Sequence, residues 1–310
     1  MANSFGTLQT NKVTLRMFDF LRFYFGDFFR SLSTDFSAER ADFKQDVVSR
    51  IPKVPAVQEY SKANGYESTD AETTDIPVKL DKHKHVTLEV DIETQTETPR
   101  NLLDEQVAPS AYALGKDLVD AVLALVIPAN FANELVATIG NTDVDTLANL
   151  RRDMNKAEVP PFARYALFNA DAFANIGEDS RIVNAENFAR NDQANRALGH
   201  LSQIRGFADV HEYPDLPETS NLSGFGATRD ALVLSARLPR DPAELIPNLP
   251  IPGRVDVVQD PQTGIAMQRR WWYDMQKGKL YMSFVWMYGV SVGVNNNLIR
   301  VVTEGTGSPS

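Results

Sequence analysis

The stretch DKHKHVTLEVD, residues 81–91, sets His83 and His85 two apart and follows them with Glu89 and Asp91. The chain has only 4 histidines, and two of them stand here. Imidazoles and carboxylates are the usual ligands of zinc, and a zinc-bound water is a hydrolytic nucleophile. Strand parity bears on whether these residues can do that. On a strand, His83, His85, Thr87, Glu89 and Asp91 share one face, while Lys84, Val86, Leu88, Val90 and Ile92 share the other. The apolar row must face a core, so the histidines lie on the polar side. Zinc needs three or four ligands, and only the two histidines are adjacent. The first expectation is therefore a solvated or inter-subunit face, with a pH-sensitive contact within reach of the histidines. A metal-dependent hydrolase using His83, His85 and Glu89 is the alternative of a different class.

Other spacings carry less chemistry. Asp143-Val144-Asp145 lacks the glycine and the twelfth-position glutamate of a calcium loop, so a helix cap at Thr142 or Asp143 is expected. Gly224-Phe225-Gly226 lacks the third glycine or the Lys-Ser/Thr of phosphate loops. Arg269-Arg270-Trp271-Trp272 resembles a nucleic-acid stacking platform. Strand alternation splits it, placing Arg269 with Trp271 and Arg270 with Trp272 on opposite faces, as in sheet packing with Arg–aromatic contacts. With no cysteine, disulfides and thiolate chemistry are excluded. Neither G-x-S-x-G nor H-E-x-x-H occurs. A non-enzymatic chain without metal or cofactor is expected.

The elements that would position these residues fall into distinct stretches. Nine of the 17 phenylalanines lie before residue 46, and Met17, Leu21, Tyr24, Phe28 and Leu32 recur there at helical spacing. Phe18, Phe25 and Phe29 thicken that stripe, so the helix must bury more than one side. It is either a core helix or an arm docking on a neighbouring subunit. DVVSRIPKV, then a polar stretch with an Asn64-Gly65 turn, then IPVKL and HVTLEVDI read as one long two-stranded excursion with a solvated tip. Such a hairpin is marginal alone and usually rests on something else. Thr98-Pro99 opens a long helix that Pro109 kinks or restarts and that continues to Val126. A short helix follows over Val144–Met154.

PPFARYALFNADAFANI reads as strand into short helix, NAENFARNDQANRALGHL as helix, and IRGFADVHEYPDLP as a strand after a Gly206 turn. GATRDALVLSARLP is helix or strand, and the proline-rich DPAELIPNLPIPG is a loop. The last third is strand, turn, strand, turn, strand, with Met282, Phe284, Trp286 and Tyr288 alternating with Tyr281, Ser283, Val285 and Met287, so both faces of that strand are covered. LIRVV is a final strand.

At 310 residues, 43% hydrophobic and 23% charged, the chain is in the globular range. Its longest apolar run, Ala121–Ile127, is far short of a membrane span, and the N-terminus has no uncharged apolar core of signal-peptide type. A soluble chain without membrane partners is expected. The net charge of −10 shows no compensating basic stripe, which argues against tight nucleic-acid binding.

The order of these stretches resembles a known family. IPVKLDKHKHVTLEVDIET before the long helix, PPFARYALFNADAFANI, IRGFADVHEYPDLP, and the ending DPQTGIAMQRRWWYDMQKGKLYMSFVWMYG with Tyr273-Asp274 and Tyr288-Gly289 carry the likeness. The chain resembles a tailed-phage major capsid protein of the Hong Kong 97-type fold, nearest the podovirus coat-protein branch, although no span near 210–250 is long enough for that branch's insertion domain. The resemblance implies an α+β fold with residues 1–45 as N-terminal arm and 46–97 as extended loop (E-loop). It further implies 98–158 with 253–302 as peripheral domain containing the spine helix, 159–252 as axial domain, and 303–310 as tail. It also implies a structural protein of the virion that forms pentamers and hexamers and then an icosahedral shell around double-stranded DNA, assembled in the host cytoplasm. Scaffolding and portal proteins would be partners, and the packaged DNA would be touched weakly and non-specifically. The assembly residues expected on this reading are Phe18, Phe25, Phe29, Tyr60, Asn64, Tyr66, His83 and His85, with the tip Tyr60–Asp70 on an adjacent subunit. Removal of the chain before Asp46 is expected to abolish assembly and leave a folded subunit. A Lys–Asn cross-link occurs in one branch of the fold, but nothing beside Lys62 and Asn64 marks a catalytic glutamate. An encapsulin-like shell that holds protein cargo is the same-fold alternative.

Overall fold

The computed structural model describes residues 7–53, 55, 57–63, 65–66, 72–91, 102–137, 142–179, 200–202, 204–217, 221–241 and 253–303. Two six-stranded sheets organise them. The main sheet is built on one long strand, β13 (Lys279–Val292). Along one edge of β13 lie first β12 (Ala266–Asp274) and then β10 (Leu232–Pro239), and along its other edge lies β4 (Lys82–Asp91), all antiparallel. β11 (Arg254–Gln259) extends the sheet beyond β12, and β1 (Ser33–Ala41) lies parallel to β10. Met282 to Tyr288 are buried without a break, as alternation of apolar residues on both faces requires. Met282, Phe284, Trp286 and Tyr288 enter the largest core. Met287, on the other face, joins a small cluster with Ala41 and Leu80.

Two helices cover the first face. α1 (Thr7–Arg30) and α2 (Leu102–Leu123) pack on each other and on the sheet. From α1 and the residues after it, Val13, Met17, Phe18, Leu21, Phe25, Phe28, Phe29 and Leu32 are buried. The approach is close: a Cβ built on Gly115 of α2 would lie 2.2 Å from the Phe25 ring. From Val13 onward this segment is packed within the subunit itself. It supplies one wall of the subunit's largest core, and β1, which follows α1, is a strand of the main sheet. Leaving a folded subunit after its removal is not compatible with that burial.

α2 runs as one element through Pro109, without the expected restart. Pro109 and Glu105 are both exposed, so water can serve the carbonyl that proline's missing N–H leaves free. The expected cap at Thr98-Pro99 and the expected stripe side chains Leu102 and Leu103 lie outside what is described.

The second sheet runs β5 (Glu134–Ala137), β14 (Leu298–Thr303), β9 (Leu222–Thr228), β6 (Arg164–Phe168), β8 (Asp209–Glu212), β7 (His200–Ser202). It is sandwiched. Tyr165, Leu167, Phe225 and Ala227 face the large core, and Ala166, Phe168, Ile299 and Val301 face a second core under α3 (Val144–Lys156) and α4 (Ala170–Glu178). Asp143 caps α3 by accepting from the amides of Asp145 and Thr146 at 3.0 and 3.1 Å, and Asn169 caps α4. GATRDALVLSARLP resolves into the end of β9, one 3₁₀ turn over Arg229–Ala231, and β10. The helix expected over NAENFARNDQANRALGHL and the loop expected over DPAELIPNLPIPG lie almost wholly outside the described residues.

The expected domain boundaries do not follow the sheets. β5 and β14 come from segments assigned to a peripheral domain yet belong to the second sheet, and β10 comes from the axial segment yet belongs to the main one. Strands separated by over 100 residues pair here, and no local pattern specifies that. Among the described residues no helix is long and apolar enough to cross a membrane.

Candidate functional site: an assembly surface

A hairpin leaves the main sheet between β1 and β4. Its strands are β2 (Asp46–Pro52) and β3 (Thr73–Lys79), antiparallel from Asp46↔Lys79 to Pro52↔Thr73. The root is fixed by Lys44 N donating to Leu80 O at 2.9 Å and Leu80 N to Gln45 O at 3.0 Å. Ile51, Ile76 and Val78 pack on Val233 of the sheet. Gly289 forms the notch for this root, since a Cβ there would meet Lys79 O at 2.1 Å. The returning strand is thus β3. β4, expected in that role, turns back after Leu80 and Asp81 and lies along β13, because Leu88 and Val90 need the core that Met282 and Phe284 supply.

Among the described residues at the far end of the hairpin, the aromatic rings are exposed. Tyr60 is 62% exposed and Tyr66 92%, their rings 4.9 Å apart across the turn that Gly65 N closes by donating to Ser61 O. Gly65 takes φ 70, the left-handed conformation that the Asn-Gly pair predicts. Asn64 itself lies outside the described residues. Val57 is also bare.

The other expected assembly residues divide. Phe18, Phe25 and Phe29 are buried in the subunit's own core and cannot meet a neighbour without unfolding it. The aromatic excess of α1 emerges elsewhere. Phe23 and Tyr24 are exposed beside Tyr112 of α2, with Tyr24 5.3 Å from Phe23 and 5.5 Å from Tyr112, and Leu15 is exposed on the same helix. The signal was present in the sequence as rings on too many sides of one helix, but spacing alone did not say which side α2 would take.

His83 and His85 lie on the exposed row of β4 at its end nearest the hairpin root. The His83 ring is 6.5 Å from Phe43, whose own ring lies under Lys44. Partial burial, then the positive charges of Arg270 and His85, hold the His83 imidazole below its ordinary pKa. Glu89, the third ligand of the hydrolase reading, is paired with Lys279 of β13. Thr87 donates to Ser283 at 3.1 Å. Among the described residues no group of three or more His, Asp or Glu is placed to hold a metal ion. The row ties β4 to its neighbour strand.

The Arg-Arg-Trp-Trp stretch divides by parity. Arg269 is buried, donating to Thr14 at 2.8 Å and Asp256 at 2.9 Å, and Trp271 packs on the core. Arg270 donates to Gln268, and Trp272 stacks on Tyr281 at 5.3 Å. No shared stacking platform forms. Gly224 and Gly226 are packing positions in β9, where a Cβ would strike Phe168 and Leu150 respectively.

No protein-family model matches the chain, and no curated protein matches it. Among solved structures, it is similar to a chain of the capsid structure of the cyanophage P-SCSP1u, with 9% identity, 89% of this chain and 87% of that chain covered, and a TM-score of 0.56. It is also similar to a chain of the capsid of Ralstonia phage GP4, with 10% identity, 90% and 89% covered, and a TM-score of 0.52. The chain shares the fold of these phage-capsid chains.

Proposed function

We propose that this chain is the major capsid subunit of a tailed bacteriophage, of Hong Kong 97-type fold. It would assemble into pentamers and hexamers and then into an icosahedral shell enclosing double-stranded DNA. The observation that carries the reading is the hairpin of β2 and β3, which packs on the main sheet through Ile51, Ile76 and Val78 and leads beyond it to the exposed rings of Tyr60 and Tyr66. Exposed aromatic rings beyond the end of a two-stranded ribbon add little to the subunit's own stability. They add more if a neighbour covers them, and a stable contact of this kind buries on the order of 1,200–2,000 Å². The Phe23–Tyr24–Tyr112 patch is a second surface for the same purpose. In this reading the main sheet with α1 and α2 is the peripheral body, and the second sheet with α3 and α4 is the axial body. A wall of net negative charge also repels DNA enough to let it be packed and released.

The test is expression alone and together with scaffolding protein, followed by sizing and negative-stain microscopy. Shell-sized particles are expected, and a strictly monomeric or dimeric species under both conditions overturns the proposal. The contents of particles purified from infected cells separate a genome container from an encapsulin-like compartment. Nuclease-protected DNA indicates the first, and a stoichiometric cargo protein the second. Stoichiometric zinc or iron in purified protein favours the hydrolase reading instead.

A further inference from the structure

A cavity of about 460 Å³ opens beside α3, lined by Ala148, Arg151, Arg152, Asn155, Lys156 and Arg205. Four of the six are cationic and none is acidic, in a chain whose net charge is −10. Lys156 stands in the last turn of α3, where a cation favours the helix dipole, and Arg152 stands one turn before it. These two share Asp153, at 2.9 and 3.8 Å. The dipole does not account for Arg205, which belongs to the loop before β8 and is held at φ 52, in the left-handed region. Gly206 beside it, at φ 91, leaves room for Arg151, since a Cβ there would stand 3.0 Å from Arg151 Cδ and Nε. Among the described residues neither Arg151 nor Arg205 has an ion-pair partner.

Behind the cavity lies Arg164, only 2% exposed. Its guanidinium donates to Pro160 O at 2.9 Å, Asn155 Oδ1 at 2.7 Å and Val159 O. Arginine does not lose its charge, so carbonyl dipoles alone balance this buried cation within the described structure. Since Arg164 occupies the carbonyl end of Asn155, that amide brings donor chemistry to the cavity wall. The ligand that suits such a lining is rich in negative charge and acceptor oxygens, and guanidinium forks match phosphate. Among the described residues no aromatic ring lines the cavity, which offers a nucleobase no stacking surface there.

We infer that this pocket binds phosphate groups, supplied by a nucleic-acid backbone or by free polyphosphate. The inference does not rest on the capsid reading, and it is tested on the isolated subunit. Binding of a labelled duplex of about 20 bp by fluorescence anisotropy, and of tripolyphosphate by calorimetry, is measured between about 50 and 200 mM salt. The pocket variant is Arg151→Gln with Arg205→Gln. The control is Arg30→Gln with Arg50→Gln, two exposed cations elsewhere. The pocket variant should lose roughly tenfold or more in affinity and lower the slope of log K against log salt by about 2, near one unit per phosphate contact, with an unchanged urea midpoint. The control should bind as the parent does. Duplex binding that tripolyphosphate displaces identifies the nucleic-acid backbone as a source, and tripolyphosphate binding alone identifies the free anion. No binding of either at low salt, or an equal loss in the control, overturns the inference.

Discussion

Gly115→Ala decides whether α1 belongs to its own subunit's core, because two physical effects give opposite signs. In the interior of a helix, alanine is favoured over glycine by about 0.8–1.0 kcal/mol. If α1 were an arm detached from α2, the substitution would stabilise the subunit by about that amount. In the structure, however, the new Cβ would stand 2.2 Å from both Phe25 Cδ2 and Cε2 and 3.1 Å from Cζ. The ring cannot step aside freely, since Phe25 is 4% exposed and packs near Phe29 and Tyr112 at centroid distances of 6.4 and 5.7 Å. Overpacking of this kind costs about 1–3 kcal/mol. With the ring so near, the upper part of that range applies, and a net loss of about 1–2 kcal/mol remains after the propensity gain. A double-mutant cycle sharpens the test. Phe25→Val removes the three ring atoms concerned and destabilises by somewhat less than the roughly 3–5 kcal/mol of Phe→Ala. In that background Gly115→Ala should become stabilising, giving a coupling of about 2–3 kcal/mol between the sites. The assay is urea unfolding followed by circular dichroism, on subunit shown by sizing to be one unassembled species. Gly177→Ala in α4, where the new methyl meets nothing within 4 Å, is the control and should be neutral or slightly stabilising. Stabilisation by Gly115→Ala in the parent, or equal effects in both backgrounds, refutes the packing of α1 on α2.

Gly289→Ala drives a methyl into the backbone of Lys79, so it should cost about 1–3 kcal/mol and release hydrogen-exchange protection in β2 and β3 before the rest of the main sheet. Tyr60→Ser with Tyr66→Ser should leave the subunit's urea midpoint within about 0.5 kcal/mol of the parent and reduce the yield of shells on sizing. His83 is held below its ordinary pKa, so the unfolded chain takes up a proton that the folded chain refuses. Its contribution is therefore present above the ordinary histidine value and is lost as pH falls through that value toward the folded one. His83→Gln should flatten the fall in stability over that window, as read from urea midpoints at a series of pH values.

Much of the local structure was legible in the residues themselves. Parity placed the histidines of β4 opposite Val86, Leu88 and Val90, separated Arg269 from Arg270, and covered both faces of β13. The Asp143 cap, the Asn-Gly turn at Gly65 and the Gly206 turn follow from short-range chemistry, in which a side-chain oxygen meets a free amide or a glycine admits positive φ. These features depend on neighbours a few residues away, and no folded context is needed to see them.

Tertiary structure decided the rest. β4 reads equally well as the return of a hairpin or as the edge of a sheet, and only pairing with β13, about 190 residues on, selects the sheet. The aromatic helix α1 carries rings on too many sides to reveal which are covered. The close approach of Gly115 buries Phe25 and leaves Phe23 and Tyr24 outside. Arg151, Arg152 and Lys156 look like an ordinary helix end until Arg205 folds over beside them and Arg164 is buried behind. The amino-acid sequence by itself determined which residues alternate, cap and turn, because those are local free energies. Which apolar face meets which, and which cations share one cavity, was settled by long-range packing, where many local patterns are compatible and the burial of the whole core chooses among them.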